Sequence, residues 1–334
     1  MNKARFARWL EDSWYREMYI APWFTPLSML YVDIVRLRRW LYRIGLLKTS
    51  QFPVPVIVVG NLTVGGTGKT PLVIWLVEQL KQKGYKPGIV SRGYAGKTAG
   101  SPQSVNAESN VAQVGDEAIL LARRCACPVV VDPDRPAAVR HLLSQHACDV
   151  IISDDGLQHY ALARNIEIVV VDGQRRFGNG YCLPTGPLRE PLERLRQVDF
   201  VVVNGGSDII EGEITMQCRG DQLVNLLNGE RKGLRHFADQ PCRAIAGIGN
   251  PKRFFSQLAN AGVTCETLAF PDHHTFSAED LQFSDHKPLL MTEKDAVKCA
   301  AFAQAHHWYL PIDAELPDTF GTSLLTLLKE KTHG

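Results

Sequence analysis

The sequence predicts an α/β protein built on a doubly wound parallel sheet, with a second, smaller α/β domain. Three observations point there. Short apolar runs rich in β-branched residues recur between residues 56 and 203, and they alternate with amphipathic helical patterns. The first run ends in a glycine-rich loop that opens directly into a helix. Apolar content of 45%, charged content of 22% and a net charge of +2 over 334 residues suit a folded two-domain chain without a global field for nucleic acid. Eight scattered cysteines lack any C-x-x-C pair, so they read as small core residues in a reducing compartment. His273-His274 and His306-His307 have no partners at zinc spacing.

Residues 1–50 stand apart. They hold four of the six tryptophans, and nine basic side chains against four acidic ones, a local excess of five. The longest uncharged run, Tyr19 to Val32, is interrupted by Pro22 and Pro26 and is too short to span a bilayer, which needs about 20 apolar residues. It also lacks the pattern of a secretory signal. From Ile34 onward, Leu37, Leu41 and Ile44 share one helical face, and Arg36, Arg39 and Arg43 another. Aromatic plus basic amphipathicity predicts a helix lying at a membrane interface, with guanidinium groups on lipid phosphates.

Val56 to Val59 reads as a buried strand, and Gly60-Asn61 as the turn that ends it. Thr63-Val64-Gly65-Gly66-Thr67-Gly68-Lys69-Thr70 follows, and then a helix with Leu72, Trp75, Leu76 and Leu80 at three- and four-residue steps. Pro71 falls in the first turn, where its missing N–H removes no bond. Strand, glycine loop, Lys-Thr and helix form a phosphate cradle: glycines let backbone N–H groups converge on phosphate oxygens and the helix N-terminus adds its dipole. Lys69 reaches the β and γ phosphates and the Thr70 hydroxyl takes magnesium. Thr63 stands where the common pattern has glycine. The reading is a nucleoside triphosphate site.

Downstream, strands are predicted over 86–91, 128–131, 149–153, 166–171 and 200–203, and helices from 116 and 135. Residues 94–110 read as a Gly/Ser-rich loop. Residues 51–206 form the first domain in this reading. Ile209 to Arg219 suggests a two-stranded link, and strands and helices over 244–312 a smaller domain within 207–334 that closes over the nucleotide, leaving open a return of the last helix to the first domain. Asp154 and Asp155 end an apolar strand, where an acidic side chain holds magnesium in phosphate-loop proteins. Asp116 opens a helix after a glycine. It is either an N-cap with Glu117 complementing the dipole, or a general base for a substrate hydroxyl. His273, on a turn leaving a strand, could orient that aspartate on closure.

The chain resembles the tetraacyldisaccharide 4'-kinase (lipid A 4'-kinase) family over nearly its full length. The resemblance rests on N-L-T-V-G-G-T-G-K-T-P (61–71), S-R-G-Y (91–94), V-G-D-E (114–117), D-D-G-L-Q-H (154–159), G-P-L-R-E-P (186–191), F-P-D-H-H-x-F (270–276) and T-E-K-D-A-V-K (292–298). It implies an ATP- and Mg2+-dependent kinase acting on the 4'-hydroxyl of a tetraacylated disaccharide 1-phosphate, peripherally bound at the cytoplasmic face of the inner membrane and with no protein partner. It also implies Asp116 as catalytic base, with His273 or the adjacent His274 paired to it, and Lys69 acting on the phosphates. Thr70, Asp154 and Asp155 are implied for magnesium, Arg92, Tyr94, His159, Arg189 and Glu190 as site lining, and Thr63 as a residue the family's loop accepts.

Two other classes share the glycine loop. A GTPase switch or metallochaperone would carry N-K-x-D, and Lys294-Asp295 lacks the intervening residue. A phosphate-loop ligase would leave the amphiphilic N-terminus unexplained.

Overall fold

The structure, a computed structural model, describes residues 3–15, 22–93 and 101–333. Helices α1 (Lys3–Tyr15) and α2 (Thr25–Arg43) precede the sheet. Pro26 starts α2 rather than breaking it, because proline fits the first helical turn. The first domain then runs β1 (Val56–Gly60), α3 (Lys69–Gln82), β2 (Pro87–Ser91), β3 (Gln103–Val105), the short α4 (Val111–Val114), α5 (Asp116–Cys125), β4 (Val129–Val131), α6 (Arg135–Gln145), β5 (Val150–Asp154), β6 (Ile166–Asp172), β7 (Phe200–Asn204) and β8 (Ile214–Arg219). A second unit follows: β9 (Gln222–Asn225), β10 (Arg231–Gly233), β11 (Cys242–Ala246), α7 (Pro251–Asn260), β12 (Cys265–Ala269), β13 (Leu289–Thr292), α8 (Glu293–Cys299) and β14 (His307–Leu310). The chain returns through β15 (Asp313–Glu315) and α9 (Asp318–His333).

The larger sheet has the order β15-β8-β7-β6-β1-β5-β2-β4-β3, parallel from β8 to β4 with an antiparallel strand at each edge. Strands β1, β5 and β6 are buried along their whole length, as expected where helices cover both faces. Strand order reverses at β1, which lies between β5 and β6. The crevice at the carboxyl ends of those three strands is the topological switch point, where open α/β sheets bind ligands. The smaller sheet, β10-β9-β14-β13-β11-β12, has its own core around Phe237, Phe254, Leu258, Leu290 and Trp308.

Several expectations are corrected. Residues 209–219 form no two-stranded link: β8 extends the main sheet parallel to β7, and β15 pairs with it. The smaller sheet is therefore an insertion bounded by two short crossings, residues 220–221 and 311–312. These crossings touch; a Cβ on Gly220 would lie 2.3 Å from the Pro311 carbonyl oxygen. Within 101–110, β3 pairs with β4 where only loop was expected. Helix α8 ends at Cys299 and passes into a 3-10 turn.

Helix α9 does return to the first domain. Phe320 stacks on Trp75 of α3 with centroids 5.3 Å apart and meets Phe200 edge-on at 5.2 Å, and Leu324 and Leu328 join the same core. Phe320 is fully enclosed, so Phe320→Ala is expected to destabilise the protein by about 3–5 kcal/mol, read from denaturant unfolding.

Candidate active site

The glycine loop begins where β1 ends. Two of its glycines carry positive φ, Gly65 at 98° and Gly68 at 95°, a region that residues with a Cβ enter at a cost. Gly68 has a second reason to be glycine, since a Cβ there would stand 2.1 Å from Asn204 Nδ2. A loop that turns N–H groups toward an anion must face its carbonyls elsewhere, and five successive ones are captured by side chains. Asn61 Nδ2 donates to the carbonyls of Thr63 (2.7 Å) and Gly65 (3.2 Å), and Tyr15 Oη to that of Val64 (3.4 Å). Arg175 Nη2 donates to Gly66 (2.6 Å) and Asn204 Nδ2 to Thr67 (3.0 Å). The loop is thus pinned from β1, β7, α1 and the segment after β6.

Lys69 opens α3. Its Nζ donates to Asn61 Oδ1 at 3.2 Å and pairs with Asp155 Oδ1 at 3.4 Å. Arg189 Nη1 lies 3.3 Å from the Asp155 carboxylate. Burial would raise the pKa of Asp155, but Lys69 and Arg189 outweigh it and hold the carboxyl well below its usual range. Asp154, at 1% exposure, behaves oppositely: burial first, then the charge of Glu117, push it up to about 7. Its Oδ2 accepts from Ser91 Oγ at 3.3 Å, and its Oδ1 is buried without a hydrogen-bond partner.

Asp116, 4% exposed, opens α5 and faces the inserted unit. Nδ1 of His273 stands 3.6 Å from its Oδ1, within ion-pair range but long for a hydrogen bond. Lys294 and Lys298 Nζ lie 3.9 and 3.8 Å from its Oδ2. Burial works to raise the pKa of Asp116; His273, Lys294 and Lys298 together bring it below the ordinary value. Asp116 in turn raises the pKa of His273 against burial. Asp155 and His273 are two of only four described non-glycine residues with positive φ, a conformation concentrated at functional sites. A cleft of about 340 Å³ is lined by the glycine loop with Lys69, Asp155, Arg189, His273 and Lys294, and by the apolar side chains of Ile74, Leu120, Phe254, Leu310 and Ile312. A wider cleft of about 1340 Å³ opens beside it between α1, α7 and β15.

A sequence model of the tetraacyldisaccharide-1-P 4'-kinase family matches residues 20–329. The chain belongs to this family of kinases. Similar proteins named tetraacyldisaccharide 4'-kinase include that of Nitrosococcus oceani, 53% identical over 95% of this chain and 93% of the relative. Those of Methylobacillus flagellatus (48%, covering 97% and 96%) and Tolumonas auensis (49%, covering 97% and 99%) are similar too. A crystal structure of LpxK from Aquifex aeolicus in complex with ATP shares the fold with a TM-score of 0.78 at 29% identity, covering 92% of this chain and 98% of that one. The chain is thus a kinase of lipid A biosynthesis, and the switch and ligase readings are not favoured.

The kinase brings Gly65, Gly66, Thr67, Gly68, Lys69, Thr70, Asp155, Arg189 and His273 to the cleft. Thr63 and Val64 lie one step outside it, where Thr63 bridges Leu188 and the Val64 N–H donates to the Pro187 carbonyl. His274 turns away to Asp280, with Nε2 3.1 Å from its Oδ2. Burial, with Arg135 and Arg92 nearby, pushes His159 down to about 4, so it is neutral at pH 7. Arg92 is exposed at the end of β2, and Tyr94 lies outside the described residues.

Glu190 does not line the cleft. It is 1% exposed, accepts from Gln158 Nε2 at 2.9 Å and from the Tyr160 hydroxyl, and faces Arg39 and Arg194 at 3.8 and 3.7 Å. Its place is under the site, as a hub. Sequence reading missed Asn61, Arg175, Asn204, Lys294 and Lys298. Asn61, Lys294 and Lys298 fell in stretches already singled out, N-L-T-V-G-G-T-G-K-T-P and T-E-K-D-A-V-K, whereas Arg175 and Asn204 fell in none.

Gly68→Ala is expected to shift the loop and weaken triphosphate binding by at least about tenfold, read by titration calorimetry against the wild type.

Proposed function

We propose that Asp116, assisted by His273, accepts the proton of the 4'-hydroxyl of a tetraacylated disaccharide 1-phosphate as the γ-phosphoryl group of ATP passes to that oxygen. The observation that carries this is the buried Asp116 carboxylate, held ionised by cationic and imidazole neighbours, two of which, His273 and Lys294, line one cleft with the glycine loop. A base must be charged before it can take a proton, and Asp116 is charged throughout the physiological range. The pinned loop amides and Lys69 hold the polyphosphate, and the apolar side chains of the cleft take the base of the nucleotide. Phosphoryl transfer spreads negative charge over the equatorial oxygens, so fixed cations at Lys69 and Arg189 lower its barrier.

Magnesium fits the residues present. Asp154 has an oxygen without a hydrogen-bond partner, Asp155 is ionised, and the Thr70 hydroxyl lines the cleft. Hard oxygen donors of this kind suit the ion, which ordinarily uses one or two carboxylates and completes its shell with phosphate and water. Bound there, it neutralises phosphate charge. Lys69 and Arg189 already hold Asp155 in place for that role.

The acyl chains of such a substrate stay in a bilayer, and α2 supplies a surface to meet it. Trp23 is 87% exposed and Met29 64%, and Leu27, Leu30, Ile34, Leu37, Trp40 and Ile44 are exposed along the same helix and its flanks. Contiguous exposed apolar surface of this kind marks a docking face. Arg36 and Arg39, expected on lipid phosphates, instead tie α2 to the body: Arg36 pairs with Glu193, and Arg39 with Gln197 and Glu190. No described helix is long and apolar enough to cross a membrane. The enzyme works as a peripheral protein on the cytoplasmic face of the inner membrane.

Asp116→Asn is expected to lower kcat by about 10²–10⁴ while ATP binding is retained, measured by single-turnover transfer to detergent-solubilised substrate. Turnover at the wild-type rate would rule Asp116 out as the base. Leu30→Glu with Leu37→Glu is expected to abolish flotation with phosphatidylglycerol-containing vesicles and to leave kcat in detergent within about threefold. A double variant that still floats would remove the docking face from α2.

A further inference from the structure

Helix α8 is only seven residues long, yet it directs two lysines, Lys294 and Lys298, into the interior. Four residues apart, they lie on one face, where like charges repel. Lys298 is 6% exposed and Lys294 16%. An ordinary solvated helix would turn such side chains to water. Here both are directed across the gap between the two units onto the same oxygen, Asp116 Oδ2.

The turn that carries them is built to aim them. Asp295, fully buried, accepts from the Gly247 N–H at 2.9 Å and the Thr292 hydroxyl at 2.7 Å through Oδ2, and its Oδ1 stands 2.7 Å from Lys298 Nζ. Lys298 Nζ also donates to the Gly247 carbonyl and lies over the Phe276 ring. It is thereby caged and cannot swing away. Lys294 Nζ donates to Glu117 at 3.0 Å and faces Asp272 Oδ1 at 3.8 Å. The groups around Asp116 are thus Glu117 on its own helix, His273 and Asp272 on the turn after β12, and Lys294 and Lys298 on α8. Both lysines and His273 belong to the inserted unit, whereas Asp116 belongs to the main sheet.

We infer that Lys294 and Lys298 are positioning residues for Asp116, delivered by the inserted unit, so that the carboxylate is held in its working orientation by that unit seated against α5. This divides the T-E-K-D-A-V-K stretch into two parts, Thr292 and Asp295 fixing the turn while the two lysines hold the base. Neither lysine reaches the reacting atoms in this role; each acts through Asp116. The depressed pKa of Asp116 agrees with it, since burial alone would favour the protonated, inactive form.

This inference rests on Asp116 being the base, and the test separates the two. Single-turnover kcat and ATP KM would be measured from pH 6 to 9 for wild type, Asp116→Asn, Lys294→Met, Lys294→Arg and the double variant Asp295→Asn with Lys298→Met. The double variant avoids stranding a buried Asp295 without its counter-charge. Expected for Lys294→Met and for the double variant is a kcat at least about tenfold lower at pH 7 with ATP KM within about threefold. Without a neighbouring ammonium the pKa of Asp116 rises, so any acid limb in the kcat profile moves to higher pH. Lys294→Arg should recover most of the rate. A kcat within about twofold of wild type for both lysine-loss proteins, beside an inactive Asp116→Asn, overturns this inference alone. A deficit that Lys294→Arg does not relieve also overturns it, leaving the lysines a purely mechanical part in seating α8. Full activity of Asp116→Asn overturns the base assignment and this inference with it.

Discussion

A backbone that offers its N–H groups to a polyphosphate must dispose of its carbonyls, and that requirement organises much of this molecule. A carbonyl oxygen aimed into the cleft would repel the very anion the loop is shaped for. Between Thr63 and Thr67 every carbonyl is captured by a side chain from elsewhere. The captors fix neighbouring structure as well. Arg175 is held by Asp172 at the end of β6, and Asn204 at the end of β7 accepts from Arg253 on α7. Holding the loop therefore ties together three strand ends, the N-terminal helix and the inserted unit.

The topology places opposite halves of the chemistry on separate sheets. Lys69, Asp116, Asp154, Asp155 and Arg189 come from the large sheet; His273, Lys294 and Lys298 come from the insertion. Two crossings of two residues each, packed against one another at Gly220 and Pro311, join the units. An ion pair also joins the units: Arg124 on α5 reaches Glu293 at the start of α8 at 2.7 Å, and the same guanidinium pairs with Asp313 on β15.

The core strands were legible because burial on both faces demands continuous Val and Ile runs, and 56–59, 150–152 and 168–171 supply them. The glycine loop was legible for a related reason: few other chain conformations require that run of glycines ahead of Lys-Thr. Strand β15 was not, being three residues long with two of them charged. The partners that hold the site were also hidden. Arg175 meets Gly66 across 109 residues of sequence and Asn204 meets Thr67 across 137, and nothing local marks either. Lys294 and Lys298 stand in a stretch the resemblance singles out, but their approach to Asp116 shows only once the opposing helix is in view. Glu190 lies in a stretch the sequence does single out, but its burial turns it from a lining residue into a support.

That support gives α2 a second, inward role. Its outward face is apolar, while its inward face holds the floor of the active site: the Tyr31 hydroxyl donates to the Arg189 carbonyl at 2.8 Å, Arg38 to that of Gln158 at 3.1 Å, and Arg39 faces Glu190. Each of these adjoins a residue that contacts Asp155 or the turn after β1, since Arg189 pairs with Asp155 and Gln158 Nε2 donates to the Asn61 carbonyl. Under the proposed docking of α2 on a bilayer, a rigid helix shared by that face and the catalytic floor would set the height of the reacting hydroxyl above the lipid directly. A flexible tether would supply affinity but not registration, and phosphoryl transfer depends on registration because in-line geometry is most of what the protein contributes.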